Sequence, residues 1–195
     1  MDRESAWALL TEYTESPNLL NHALAVEAAM AAYARRLGED ETKWAITGLL
    51  HDFDYERWPD APDHPVRGAE ILRAAGYPED IVTAILGHAT YTGVPRDTPL
   101  ARALFAVDEL TGLVTAVALV RPSRSVLDVK VKSVKKKWKQ PSFAAGVNRE
   151  DIAAGAAELG VDLDEHIAFV IEALQGVAEE IGLAGQMGAA DAAGT

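Results

Sequence analysis

"LLHDFDYERWPD", residues 49–60, sets a His–Asp pair at the end of an apolar helical run. Adjacent residues on a helix point about 100° apart, so His51 and Asp52 cannot both face solvent from one apolar stripe. At least one is buried, and a buried charge needs a partner or a metal. The other titratable groups, and the helices that carry them, have to supply it.

Helical periodicity extends from this stretch in both directions, and no segment sustains strand alternation. Ser16-Pro17 reads as a cap followed by proline at the first helical position, opening a helix to Leu37 that Gly38 stops. Asp40 begins the helix that ends in His51-Asp52, and "WPDAP" is a loop. Asp63 caps a helix from His64 to Ala75, and Pro78 opens another through His88. Thr98-Pro99 repeats the cap-plus-proline signal for a long helix to Val120, which Arg121-Pro122-Ser123 breaks. A basic helix follows over Ser125–Lys139, with Leu127, Val131, Val134 and Trp138 as its apolar seam. Capping-box spacings at Asn148/Asp151 and Asp162/Glu165 start two more helices, the last with Ile167, Val170, Ile171, Leu174 and Ile181 as a core stripe. The pattern predicts an all-α bundle of about eight or nine helices in one domain over residues 1–185. Its core is 17–115, its C-terminal helices fill 116–185, and 186–195 is a flexible, frayed tail.

The chain has 195 residues, 49% of them hydrophobic, enough for a sizeable core. It has no cysteine, which excludes disulfides, thiolate metal sites and a Cys nucleophile. Any metal must be held by His, Asp and Glu. No run is apolar for long enough to cross a membrane and no signal peptide is visible, so the expected location is cytoplasmic. A net charge of −12 argues against nucleic-acid binding. The charge is uneven, however: residues 121–139 carry 8 of the 18 Lys and Arg. Self-association is left open.

Five histidines are present: His22, His51, His64, His88 and His166. The first four fall near ends or buried faces of successive helices, and Asp108 sits in the very apolar run "LFAVDELTGL". An unpaired carboxylate there would be costly. One core cannot easily satisfy four imidazoles and two carboxylates separately, whereas a metal site satisfies them together. Nitrogen and oxygen donors without sulfur suit iron or manganese foremost, and also zinc, nickel or magnesium. Six donors exceed what one ion takes in an open site and suit two divalent ions bridged by a carboxylate. His166, off the core stripe of the last helix, reads as structural.

The order His22 … His51-Asp52 … His64 … His88 … Asp108 resembles the HD-domain superfamily, in the subgroup with two extra histidines and a dinuclear centre. As a whole the chain is similar to a bacterial and archaeal group of predicted HD hydrolases. The resemblance implies one metal on His22, His51, Asp52 and Asp108, and a second on Asp52, His64 and His88, with Asp52 bridging. It implies a metal-dependent phosphohydrolase acting on a nucleotide or another small phosphorylated or anionic substrate. A mixed-valent diiron oxygenase uses the same ligands in a minority of the superfamily, and a non-catalytic metal- or nucleotide-binding regulator is a third class. One departure stands out: many relatives read His-Asp-Ile-Gly-Lys, and here Tyr55 occupies the place of that Lys.

Around the site, Arg67 lies three residues after His64, on the same helical face, and is a candidate for substrate phosphate; its alternative is a surface pair with Glu70. Asp54 and Glu56 are candidates for a general acid or for orienting a water, or are solvated acids at a loop start. Lys132, Lys135, Lys136 and Lys139 share one face of the basic helix, which is a solvated face or a substrate-attracting patch. RNA binding there is weakly supported, with only Trp138 to stack on.

Overall fold

The structure, a computed structural model, describes residues 2–185. The tail expected over 186–195 lies outside the described residues. Among those described there are nine α-helices and no sheet. They are α1 (Arg3–Tyr13), α2 (Pro17–Leu37), α3 (Glu41–Leu50), α4 (Asp63–Ala74), α5 (Glu79–His88), α6 (Pro99–Leu119), α7 (Val131–Trp138), α8 (Arg149–Leu159) and α9 (Leu163–Gly176). None is long and apolar enough to cross a membrane.

The caps read from the sequence mostly hold. Asp40 accepts from Lys43 N, Thr98 from Ala101 N, Asn148 from Glu150 N and Asp151 N, and Asp162 from Asp164 N and Glu165 N. Each satisfies donors that a helix start leaves unpaired. Ser16 stands at the cap position of α2, but its hydroxyl does not cap. The Glu56 carboxylate instead braces the segment leading into α2, accepting from Glu15 N at 2.7 Å and Ser16 N at 3.0 Å.

Helix α6 is the axis of the bundle. Thirteen of its 21 residues are buried, on every side, as expected of a helix surrounded by others. It packs against α2, α5, α8 and α9. Two glycines set the closest approaches: a Cβ at Gly48 would stand 2.8 Å from Val26 O, and one at Gly155 would stand 2.6 Å from Ala106 Cα. The first seats α3 on α2, and the second seats α8 on α6. His166 is fully buried, not off the core, and its role is structural: its ring bonds Tyr33 Oη at 2.6 Å and Ala106 O at 2.7 Å, tying α9 to α2 and α6.

Four expectations need correction. Helix α1 was not foreseen, because it buries only Ala6 and Leu10 and so has almost no periodic signal. The basic helix is shorter than Ser125–Lys139. Ser125 Oγ bonds Ala184 O and Val126 N bonds Leu183 O, so the returning C-terminal segment claims the backbone that a helix would need. Leu127, expected in the seam, is 54% exposed. Helix α9 ends at Gly176, and Ile181 is buried from the turns beyond it. Finally, His64 and Pro65 are not helical within α4: His64 is extended (φ −80°, ψ 139°), as residues before proline tend to be.

Candidate metal centre

Five helices bring six side chains to one place. His22 comes from the second turn of α2, His51 caps the C-terminus of α3, and Asp52 begins the turns that follow. His64 precedes the regular part of α4, His88 is the last residue of α5, and Asp108 sits midway along α6. They form two groups whose donor atoms lie within 4.8 Å of one another: His22, His51 and Asp108, and Asp52, His64 and His88.

The carboxylates link the rings. Asp108 Oδ1 is 3.1 Å from His22 Nε2 and 3.3 Å from His51 Nε2. Asp52 turns Oδ2 to His51 Nε2 at 3.4 Å and Oδ1 to His64 Nε2 at 3.3 Å and His88 Nε2 at 3.2 Å. Asp52 thus touches both groups with different oxygens.

The outer nitrogens decide the tautomers. His51 Nδ1 donates to Gly48 O at 2.8 Å, His88 Nδ1 to Ile85 O, and His64 Nδ1 to Asp54 Oδ1 at 2.8 Å. Carbonyl and carboxylate oxygens only accept, so each Nδ1 carries the proton and each Nε2 is left to face the cluster. His22 Nδ1 is 3.4 Å from Thr111 Oγ1, whose own proton goes to Asp108 O. His51 Nε2 is completely buried and has no hydrogen-bond partner. Buried polar atoms are rarely orphaned, and this one points among carboxylates. Donors about 2.1 Å from a shared cation stand about 3.0–3.4 Å apart, which matches the spacings above. The six residues therefore fit a metal-binding role, and the hydrogen bonds behind them have the form that orients metal-ligating histidines.

Without a cation the cluster holds protons. Burial opposes charge on His51, but Asp52 and Asp108 outweigh it and raise its pKa well above the usual imidazole range. Burial likewise opposes charge on His64, and Asp52 with Asp54 still raise it to about 9. Burial would raise Asp52 and Asp108, yet their imidazole neighbours hold both well below the usual carboxylate range.

Above the cluster opens a cavity of about 430 Å³. Its walls include Tyr55 and Tyr91, and Tyr91 Oη donates to His64 O. They also include Glu109, which no motif in the sequence marks, and Asn148 and Asp151, which the sequence marks only as a helix start. Burial, with Asp108 alongside, raises the Glu109 carboxyl to about 7, and burial also raises Asp151. Glu109 had one available signal, a second acid in an apolar run. Asn148 and Asp151 had none for the cavity, since only the α6–α8 packing brings them here.

Several expected substrate or acid–base residues are placed elsewhere. Asp54 is 1% exposed and accepts from His64 Nδ1 and from Gly68 N at 2.8 Å, so it positions His64 rather than meeting substrate. Glu56 braces the segment before α2. Arg67 does not line the cavity: its side chain is 53% exposed beside Asp63 and Glu70. The inference that put it one turn from His64 required helix between them, and His64-Pro65 is not helix. Lys132, Lys135 and Lys136 are exposed on α7 outside the cavity, with Lys135 paired to Asp164 at 2.6 Å.

Residues 19–113 match the HD domain family, and all six cluster residues lie within that span. This segment is an HD domain. Three curated relatives are ribonucleases Y that share it. The enzyme of Oleidesulfovibrio alaskensis is 35% identical over 98 residues, 50% of this chain and 18% of that one. That of Nitratidesulfovibrio vulgaris is 37% identical over 101 residues, 50% and 18% of the two chains. That of Lawsonia intracellularis is 36% identical over 106 residues, 52% and 19%. The chain thus spans less than a fifth of the length of these relatives. No solved structure matches significantly.

Proposed function

We propose that this protein is a metal-dependent phosphohydrolase that acts on a small phosphoester through a dinuclear centre. The observation that carries it is Asp52, whose two oxygens face two separate groups of nitrogen and oxygen donors. In this reading His22, His51, Asp52 and Asp108 hold one divalent ion, and Asp52, His64 and His88 hold the other. Iron and manganese suit the donors best. Bound there, such ions supply Lewis-acid polarisation of a phosphoryl oxygen and a water acidified to near neutrality.

The chain's own part is positional and electrostatic. The Nδ1 contacts keep the four rings with Nε2 facing inward, so no rotation or tautomer change is needed when a ligand arrives. Asp54 holds His64, the ring whose backbone is least constrained by helix. Asp52 and Asp108 bring negative charge to the floor of the cavity, which cations must occupy before an anion can. The cavity's modest size suits a small phosphoester, and the chain's net charge of −12 disfavours a long polyanion. The ribonuclease activity in the relatives' name is a phosphodiester hydrolysis, which agrees with this reaction class.

The test is p-nitrophenolate release from p-nitrophenyl phosphate and bis-p-nitrophenyl phosphate by manganese-loaded protein under strict anaerobiosis. Turnover without oxygen, with two metals per chain, is the expected result. Turnover that requires iron and oxygen would overturn hydrolysis in favour of the diiron oxygenase reading. A metal content that stays at one would overturn the dinuclear part.

A further inference from the structure

No lysine or arginine lines the cavity above the cluster among the described residues, and the undescribed ones contain neither. Phosphoester sites ordinarily supply a cationic side chain to the phosphate. Tyr55 lines the cavity, and Arg67 is turned to Asp63 and Glu70. Any phosphate charge must therefore be met at the cluster floor. That floor is marked as a ligand site by His51 Nε2, fully buried and unpartnered beside Asp52 and Asp108. Beyond the cluster, the cavity lining adds negative charge instead of positive. Glu109 extends from α6 next to Asp108, and Asp151 extends from the first turn of α8. Asn148 fixes Asp151 by donating from Nδ2 to Oδ2 at 2.7 Å, and Asn148 itself lines the cavity. Tyr91 adds an aromatic face.

This distribution discriminates among substrates. A second phosphate would meet two carboxylates, and the one cation near Asp151, Arg96, is already engaged by both oxygens of Glu158. A cationic nitrogen would be attracted by both and could lie against the aromatic ring. We propose, resting on the phosphoester reading above, that the substrate is a phosphomonoester whose other end carries an ammonium group, with Glu109 and Asp151 as the residues that select it.

The experiment compares 2-aminoethyl phosphate with propyl phosphate, its near-isostere in which a methyl replaces the ammonium. Manganese-loaded protein is titrated calorimetrically with each at pH 7.5, and KM is measured by phosphate release. The ammonium compound is expected to bind about tenfold more tightly, with a correspondingly lower KM. Asp151→Asn and the double variant Glu109→Gln/Asp151→Asn should reduce and then abolish the preference while keeping metal content, helicity and the affinity for propyl phosphate. Equal affinity of the wild-type protein for the two compounds overturns the inference and leaves the phosphoester reading standing. So does a preference that survives in the double variant with its fold and metals intact. Failure to bind either compound, or to release phosphate from any ester, overturns the phosphoester reading itself.

Discussion

Asp52 faces the two donor groups with different oxygens, so its loss should differ in kind from that of its neighbours. In the proposed dinuclear centre, Asp52→Ala removes a ligand from each ion and the negative charge between two cations that would otherwise repel. Turnover should fall by about 10²–10³-fold or more, the scale of losing one electrostatic stabiliser at a reacting centre. Both metals should be weakened, while helicity persists because the imidazoles can release their protons. His64→Ala should weaken one ion only. Metal analysis and circular dichroism of both variants check this; two tightly held metals and near-normal turnover in Asp52→Ala would remove the bridging role. A subtler change tests Asp54. A Cβ at Gly68 would stand 2.8 Å from Asp54 Oδ2, so Gly68→Ala must push that carboxylate off the Gly68 N–H and off His64. Losing such an outer partner costs about 10–100-fold in metal affinity, and Asp54→Asn should do the same. Unchanged metal affinity in both variants would show that Asp54 does not position His64.

At the scale of elements, the doublet's immediate setting was legible in the sequence. Thr98-Pro99, Asp40 and Gly38 mark helix ends with local chemistry that does not depend on what packs nearby. Thr98→Ala should cost about 1 kcal/mol, because the Ala101 N–H loses its acceptor. Where the backbone is claimed by distant segments the reading failed, as at Ser125–Lys130, held by Leu183 and Ala184. The α6–α8 contact is the element-level determinant of the cavity wall. Gly155→Ala would place a methyl 2.6 Å from Ala106 Cα, forcing the helices apart at a cost of about 1–3 kcal/mol. The melting temperature should drop by about 2–4 °C per kcal/mol. Because Asp151 moves with α8, affinity for 2-aminoethyl phosphate should fall more than metal affinity. A melting curve identical to wild type would mean that α8 shifts without cost.

For the whole molecule, the proposed metal binding links folding and protonation at the cluster. In the metal-free protein His64 titrates at about 9 instead of 6.5, so the folded state holds a proton the unfolded chain releases earlier. That contribution to stability is complete below pH 6.5 and is lost as pH rises through about 9. Metal-loaded protein should behave oppositely, since a cation must displace the proton and binds more tightly as pH rises toward about 9. Chelated protein should therefore lose melting temperature between these limits relative to a His64→Gln variant, while manganese addition raises it increasingly with pH. Proton release on binding, read calorimetrically in buffers of different ionisation enthalpy, gives the same answer independently. Binding that releases no protons between pH 6.5 and 8 would contradict it.

What the sequence determined by itself was local or periodic. Helical spacing specified an all-α bundle, and the absence of cysteine restricted any metal to nitrogen and oxygen donors. Six titratable residues in unfavourable apolar settings specified one another, because each would be costly alone. Tertiary structure alone decided which groups face the cavity. Asp54 turned inward to His64, Glu56 left to brace the segment before α2, and a non-helical His64-Pro65 carried Arg67 away. Glu109, Asn148 and Asp151 arrived from helices that meet only because Gly155 lets them. A side chain's chemistry belongs to its residue, but its direction depends on backbone angles and packing summed over the segments between, and no local pattern records that sum.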